Sequence, residues 1–143
     1  MKDSSENILL IDHNDIGILR LTLNDLDNKN ALSELMIQKL INTITEASED
    51  DSVKVVVIAS IGNVFCSGHN LKEINEARKA DDGGEFYYLE LYKTCSSLMQ
   101  LIMNCSKPVI AEVNGIATAA GCQLVASCDL AVSSNSAKFA TPG

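Results

Sequence analysis

Apolar positions along this chain change their period several times, and each change marks an element. Residues 8–11 form a short apolar run. After a polar turn at 13–15, Ile16, Ile18, Leu21 and Leu23 recur at mostly even spacing. Two such runs about a short turn predict a β-hairpin. A polar loop, "NDLDNKN", follows at 24–30. Over 31–50 the period lengthens, with Leu35, Met36, Leu40 and Ile44 on one side of a 3.6-residue repeat and Ser33 placed to cap it. That pattern predicts an amphipathic helix. Residues 52–60, "SVKVVVIAS", are nearly continuous β-branched residues. They predict a strand covered on both faces, as in a parallel sheet.

The second half continues the alternation. Residues 61–70 read as a glycine-bearing loop, 71–80 as a short helix and "DDGG" at 81–84 as a flexible break. Residues 85–104 predict a long helix with a broad apolar face. A loop and strand follow at 106–115, with Pro108 at the strand edge, where a missing N–H is tolerated. Residues 119–127 read as a small-residue helix, 128–134 as a short strand and 137–143 as the start of a further strand or loop. Apolar strands alternating with helices predict an α/β fold. The sequence shows no internal repeat, although a repeated β-β-α unit is compatible with it, and nothing points to a second domain.

Composition narrows the picture. With 143 residues, 46% of them apolar, the chain can bury one ordinary core. A formal charge of −8 argues against bulk binding of nucleic acid or anionic membrane. No apolar run reaches membrane-spanning length. The polar, acidic start, residues 1–7, reads as neither a signal peptide nor an Arg-rich transit peptide. Cys66, Cys95, Cys105, Cys122 and Cys128 form no CxxC pair. They read as reduced, mostly buried thiols rather than a disulfide or zinc framework, which suits an intracellular setting.

Candidate chemistry lies in two loops that follow apolar strands and open helices: "FCSGHN" at 65–70 and "NGIATAAGCQ" at 114–123. Turns of this kind leave backbone N–H groups free at a helix N-terminus. Such groups bind anions, or an oxygen that becomes anionic during a reaction. Glycine and alanine let the backbone approach a ligand closely. The alternative is that the small residues serve only tight helix–sheet packing.

The segments "LNDLDNKNALS", "GNVFCSGHNLKE", "KPVIAEVNGIATAAGCQLVASCDLAV" and "AKFATPG", in this order, resemble the enoyl-CoA hydratase/isomerase (crotonase) superfamily. Within it the chain is most similar to the enoyl-CoA hydratase domain-containing protein 3 group. The resemblance implies a superhelix of β-β-α units, of which residues 1–143 form the N-terminal part of a single domain. It implies that a thioester carbonyl of acyl-CoA sits between the backbone N–H groups of His69, after Gly68, and Ala120, before Gly121. His69, Asn70, Leu71 and Lys72 would line the ligand, with Lys72 near the coenzyme A portion. The loop around Lys29 and Ala31 would seat its nucleotide end. No metal and no cofactor beyond the coenzyme A thioester is implied. The full-length protein would be a homotrimer or hexamer in the mitochondrion, and ending at Pro142–Gly143 reads as a truncation.

The same comparison exposes departures. Family hydratases use two glutamates, one as base on water and one as proton donor. Their positions fall at Gln123 and Gly143. Gln has no titratable carboxylate, and Gly has no side chain. The aspartate usual after the first oxyanion residue is Asn70 here. The expected function is therefore an acyl-CoA-binding protein of fatty-acid metabolism with weak or absent hydratase activity. Two alternatives stand beside it: a non-catalytic binding or regulatory module, and an isomerisation whose acid lies outside this chain.

Other residues invite blander readings. Ser67 beside His69 lacks a nucleophile elbow. His13 reads as solvated, Cys66 and Cys122 as small buried apolar residues, and Asp129 as a structural hydrogen-bonding group. The stretch 87–92 is either core or a pocket for the ligand tail. The His69 side chain suits proton transfer, though family members use only the backbone there.

Overall fold

The computed structural model describes residues 7–142. Residues 1–6, most of the acidic start, and Gly143, the second glutamate position, lie outside the described residues. The hairpin is present as β1 (Leu9–His13) and β2 (Ile18–Leu23), paired antiparallel. Asn14 closes it, its Oδ1 accepting from the N–H of Ile16 at 3.2 Å and of Ile18 at 2.9 Å. The inward face of β2 is Leu19, Leu21 and Leu23, whereas Ile16 is 76% exposed. The reason is register: pairing with β3 starts only at Ile18, so Ile16 remains in the turn.

Helix α1 (Glu34–Glu49) starts where Ser33 Oγ accepts from Met36 N at 3.2 Å. Its buried stripe is Met36, Ile37, Leu40, Ile44 and Ala47. Leu35, expected inside, is exposed and Ile37 takes its place. One residue on a helix is a rotation of about 100°, enough to move a side chain off a buried stripe.

Each following unit places its first strand in one sheet and its second in another. β3 (Val55–Ser60), β5 (Val109–Val113) and β7 (Leu130–Ser133) extend a five-stranded sheet in the order β1-β2-β3-β5-β7. β4 (Val64–Cys66), β6 (Ile116–Thr118) and β8 (Lys138–Ala140) form a three-stranded sheet. All pairings after the hairpin are parallel. β4 and β6 occupy stretches that the sequence pattern assigned to loops. Three residues are too few to display a period of two.

The helices are α2 (Leu71–Ala77), α3 (Glu85–Met103) and α4 (Ala120–Ser127). α2 is shorter than the expected 71–80. The "DDGG" stretch is a hydrogen-bonded turn rather than a break. Asp82 accepts from the N–H groups of Gly84 at 2.8 Å and Phe86 at 3.0 Å, which starts α3 and holds the carboxyl below its ordinary range. Leu21, Met36, Ile58, Phe65, Leu98 and Leu124 are fully buried and join both sheets and three helices in one core. Burial of each such side chain stabilises by about 1.5–3 kcal/mol. β7 and β8 stay open, with Leu130, Val132 and Phe139 exposed.

Candidate functional site

Two glycines bring the two strand-to-helix turns together. Gly121, in the first turn of α4, has no room for a side chain: a Cβ there would stand 2.3 Å from the Cys66 carbonyl oxygen at the end of β4. Gly68 adopts φ +93°, and its Cβ direction points at Ala119 Cβ, 3.0 Å away, with Ala120 N at 3.4 Å. The start of α4 therefore lies directly against the Gly68–His69 turn. Neither the His69 nor the Ala120 backbone N–H has a hydrogen-bond acceptor among the described residues. Backbone donors without a protein acceptor are open to water or to a ligand oxygen. Ala119, which abuts Gly68 and precedes Ala120, has φ +52° and ψ −127°, a conformation that costs a non-glycine residue about 1–3 kcal/mol. Its N–H donates to Ala140 O at 2.9 Å, so β8 holds the turn in this shape.

A third loop joins this junction. Leu32 N donates to Gly68 O at 2.8 Å, and Ser67 N to Lys29 O at 3.2 Å. Lys29 and Asn30 both have positive φ, 56° and 53°. Asn30 is fully buried and anchors the loop. Its Nδ2 donates to Ile61 O at 3.0 Å and Val64 O at 2.8 Å, and its Oδ1 accepts from Asp25 N at 2.8 Å. Lys72 Nζ reaches across to Asn28 Oδ1 at 2.8 Å. Asn70 caps α2, accepting from Lys72 N at 3.0 Å, so amide for acid leaves the cap intact. The residues that the resemblance singled out, Lys29, Ala31, Gly68, His69, Asn70, Lys72, Ala120 and Gly121, thus meet at one place. Leu71 projects outward from it, 70% exposed.

A cavity of about 460 Å³ opens at the junction, lined among others by His69, Tyr92, Cys95, Ala120, Gln123 and Pro142. The His69 ring packs edge-on to Tyr92, with centroids 5.8 Å apart. Burial lowers the His69 pKa from its ordinary value; the nearby Leu32 carbonyl offsets part of this. Gln123 faces the cavity from α4 and is solvent-exposed. Tyr92 also borders a second, larger hollow of about 690 Å³ between α2 and α3, together with Leu71, Ile74 and Tyr88.

The remaining candidates have structural surroundings. Asp129 Oδ2 accepts from Val109 N at 2.8 Å and ties β7 to β5. Ser67 Oγ donates to Asn28 O at 3.4 Å. All five cysteines are unpaired. Burial pushes Cys66 up to about 11 and Cys128 to about 12, the neighbouring Asp129 adding to the latter. Cys66 and Cys95 are buried, while Cys105, Cys122 and Cys128 are half-buried. Sequence reasoning missed Asn30 and Glu73. Glu73 Oε2 accepts from Glu34 N at 3.1 Å and from Tyr87 Oη at 3.5 Å, tying α2 to α1 and α3. Asn in a polar loop was the only available signal for Asn30, and α2's Glu73 gave none.

The sequence profile of the enoyl-CoA hydratase/isomerase family matches residues 13–143. The chain belongs to that family. It is similar to enoyl-CoA hydratase domain-containing protein 3, mitochondrial, of Xenopus laevis, 51% identical over 127 residues. That match covers 89% of this chain and 42% of the relative. It is also similar to 2,3-dehydroadipyl-CoA hydratase of Escherichia coli, 34% identical, covering 87% of this chain and 46% of that protein. The crystal structure of human enoyl-CoA hydratase domain-containing protein 3 superposes with a TM-score of 0.87 at 43% identity, over 96% of this chain and 52% of that one. The two-sheet superhelix is thus the crotonase fold, and the chain spans about half the length of the curated relatives it matches. The two turns and α4 line one cavity, and the Lys29 loop packs behind the first turn through Ser67 and Leu32. Among its described residues no helix is long and apolar enough to cross a membrane.

Proposed function

We propose that this chain supplies the thioester-binding half of an acyl-CoA-binding protein of fatty-acid metabolism. The acyl-CoA carbonyl oxygen lies between the N–H groups of His69 and Ala120. The observation that carries this reading is the pair of unpartnered N–H groups set side by side by Gly68 and Gly121. Preorganised donors of this kind favour an oxygen as it gains negative charge. Lys72, which reaches the Lys29 loop through Asn28, and the exposed Lys29 meet the coenzyme A phosphates, in a chain whose net charge is −8. The acyl chain leaves past Tyr92 into the hollow between α2 and α3.

Hydration needs a base for water, and Gln123 offers only an amide. Hydratase activity is therefore weak or absent. The protein acts in the mitochondrion, in keeping with the names of its relatives, and assembles as a trimer or hexamer. The test is calorimetric titration of the full-length protein with butyryl-CoA, beside an assay of crotonyl-CoA hydration. Saturable binding with negligible hydration is expected. Hydration at ordinary enzymatic rates refutes the loss of hydratase chemistry. Absence of saturable binding refutes the acyl-CoA site and leaves a module that keeps only the fold.

A further inference from the structure

The cavity contains an imidazole that the thioester clamp does not use. His69 lends the clamp its backbone N–H, yet its ring lies in the same cavity, against Tyr92. Its Nδ1 is buried and makes no hydrogen bond of ordinary geometry among the described residues, the Leu32 carbonyl lying near the ring but outside it. A buried polar atom without a partner in a native fold asks for an explanation, often a chemical one. No carboxylate lines this cavity among the described residues. The Gln123 amide does not titrate near neutrality, nor do the Ser96 and Thr141 hydroxyls. α3 contributes the Tyr92 phenol and the Cys95 thiol, the latter pushed up by burial. The segment at Leu32 contributes a carbonyl only. His69 is the one lining group whose ordinary pKa lies near neutral pH.

We infer that the His69 imidazole takes the place of the family's carboxylates as the proton-transfer group of this site. It acts on the carbon beside the thioester carbonyl. The inference rests on the acyl-CoA reading above. Nδ1 being buried, the neutral ring removes a proton from C2 of the acyl chain through Nε2. The electron pair of that C–H bond forms the C1–C2 double bond of an enolate, and the carbonyl π pair moves to oxygen, held by the His69 and Ala120 N–H groups. The imidazolium then returns the proton. Returned to C2, it gives hydrogen exchange with solvent. Returned to C4 of a 3-enoyl thioester, it moves the double bond to C2–C3, and the ring nitrogen is regenerated. The steps consume neither water nor any redox partner, so the missing glutamates are not needed. Burial keeps the ring neutral at neutral pH, as a base requires.

The experiment uses the full-length protein in deuterium oxide. Deuterium uptake at C2 of butyryl-CoA is followed by mass spectrometry, alongside isomerisation of 3-hexenoyl-CoA. Wild type is compared with His69→Gln, which keeps the backbone N–H, and butyryl-CoA binding is titrated in both. Saturable exchange by wild type, reduced about 10²–10⁴-fold in a folded His69→Gln that still binds butyryl-CoA, is expected. The wild-type rate should rise with pH and level off below the ordinary imidazole value of 6.5. That profile serves even if His69→Gln fails to fold. Exchange retained in a folded, binding His69→Gln overturns the inference. So does a wild type that binds butyryl-CoA without exchange or isomerisation, or a rate that shows no imidazole titration. A wild type that binds no acyl-CoA overturns the thioester reading and this one with it, an outcome distinct from the failures in which binding survives.

Discussion

Single residues set the geometry of the candidate site through what they exclude. At Gly121 a methyl group would meet backbone, the Cys66 carbonyl at 2.3 Å, and not a flexible side chain that can swing away. Gly121→Ala therefore has to push α4 off the end of β4, carrying Ala120 away from His69. Overpacking of this kind costs about 1–3 kcal/mol. The expected outcome is a lower urea midpoint together with loss of butyryl-CoA binding. Asn30 works by satisfying groups instead. Asn30→Ala leaves the Ile61 and Val64 carbonyls without their side-chain donor inside the protein. Each buried unsatisfied group costs about 1–3 kcal/mol. Equilibrium denaturation should show a total loss of about 2–6 kcal/mol for this variant, larger than for any exposed Asn.

At the scale of elements, α2 is the shortest α-helix among the described residues and carries Leu71 and Lys72, which follow the first turn of the site. Glu73 fastens it. Burial pushes the Glu73 carboxyl above its ordinary 4.5; the hydrogen bond from Glu34 N–H opposes that shift, and the Glu34 charge adds to it. A raised carboxyl pKa means the folded state favours the protonated form. This contribution to stability is present below 4.5 and lost as pH rises through the higher folded-state value. Glu73→Gln keeps an acceptor for Glu34 N–H and removes the titration. The variant should therefore gain on wild type as pH goes from about 4 to about 7, read as the difference in urea midpoint at the two pH values. An unchanged difference would show that Glu73 does not titrate differently on folding.

The whole molecule presents two open ends. β7 ends the five-stranded sheet and β8 the three-stranded one, and both expose apolar side chains: Leu130 at 62%, Val132 at 63% and Phe139 at 49%. Edge strands with apolar faces template further pairing. The net charge of −8 opposes it only in part. The 143-residue chain alone is expected to self-associate with rising concentration, measured by light scattering. The double variant Leu130→Lys, Val132→Lys should shift that onset to higher concentration. A chain that stays monomeric throughout would mean these faces are not sticky.

Much of this was legible in the residues. Apolar period placed the hairpin and the two long helices, because those elements are long enough to display a repeat and bury one face of it, and unbroken apolar runs marked β3, β5 and the exposed β7. Asp129 read as a structural group and is one. The small-residue segments pointed to the family and to the Gly68 and Gly121 turns, because close backbone approach leaves only glycine as a tolerated choice. What tertiary structure alone decided is of another kind. β4 and β6 are three residues each, and their pairing partners lie some fifty residues away. The phase of β2 and of α1 followed from neighbours, not from their own pattern. Asn30, Glu73 and the buried, unpartnered His69 nitrogen acquire meaning only from groups brought in by other segments. Local sequence carries periodicity and backbone permission, whereas which polar atom faces which cavity is set by contacts distant along the chain.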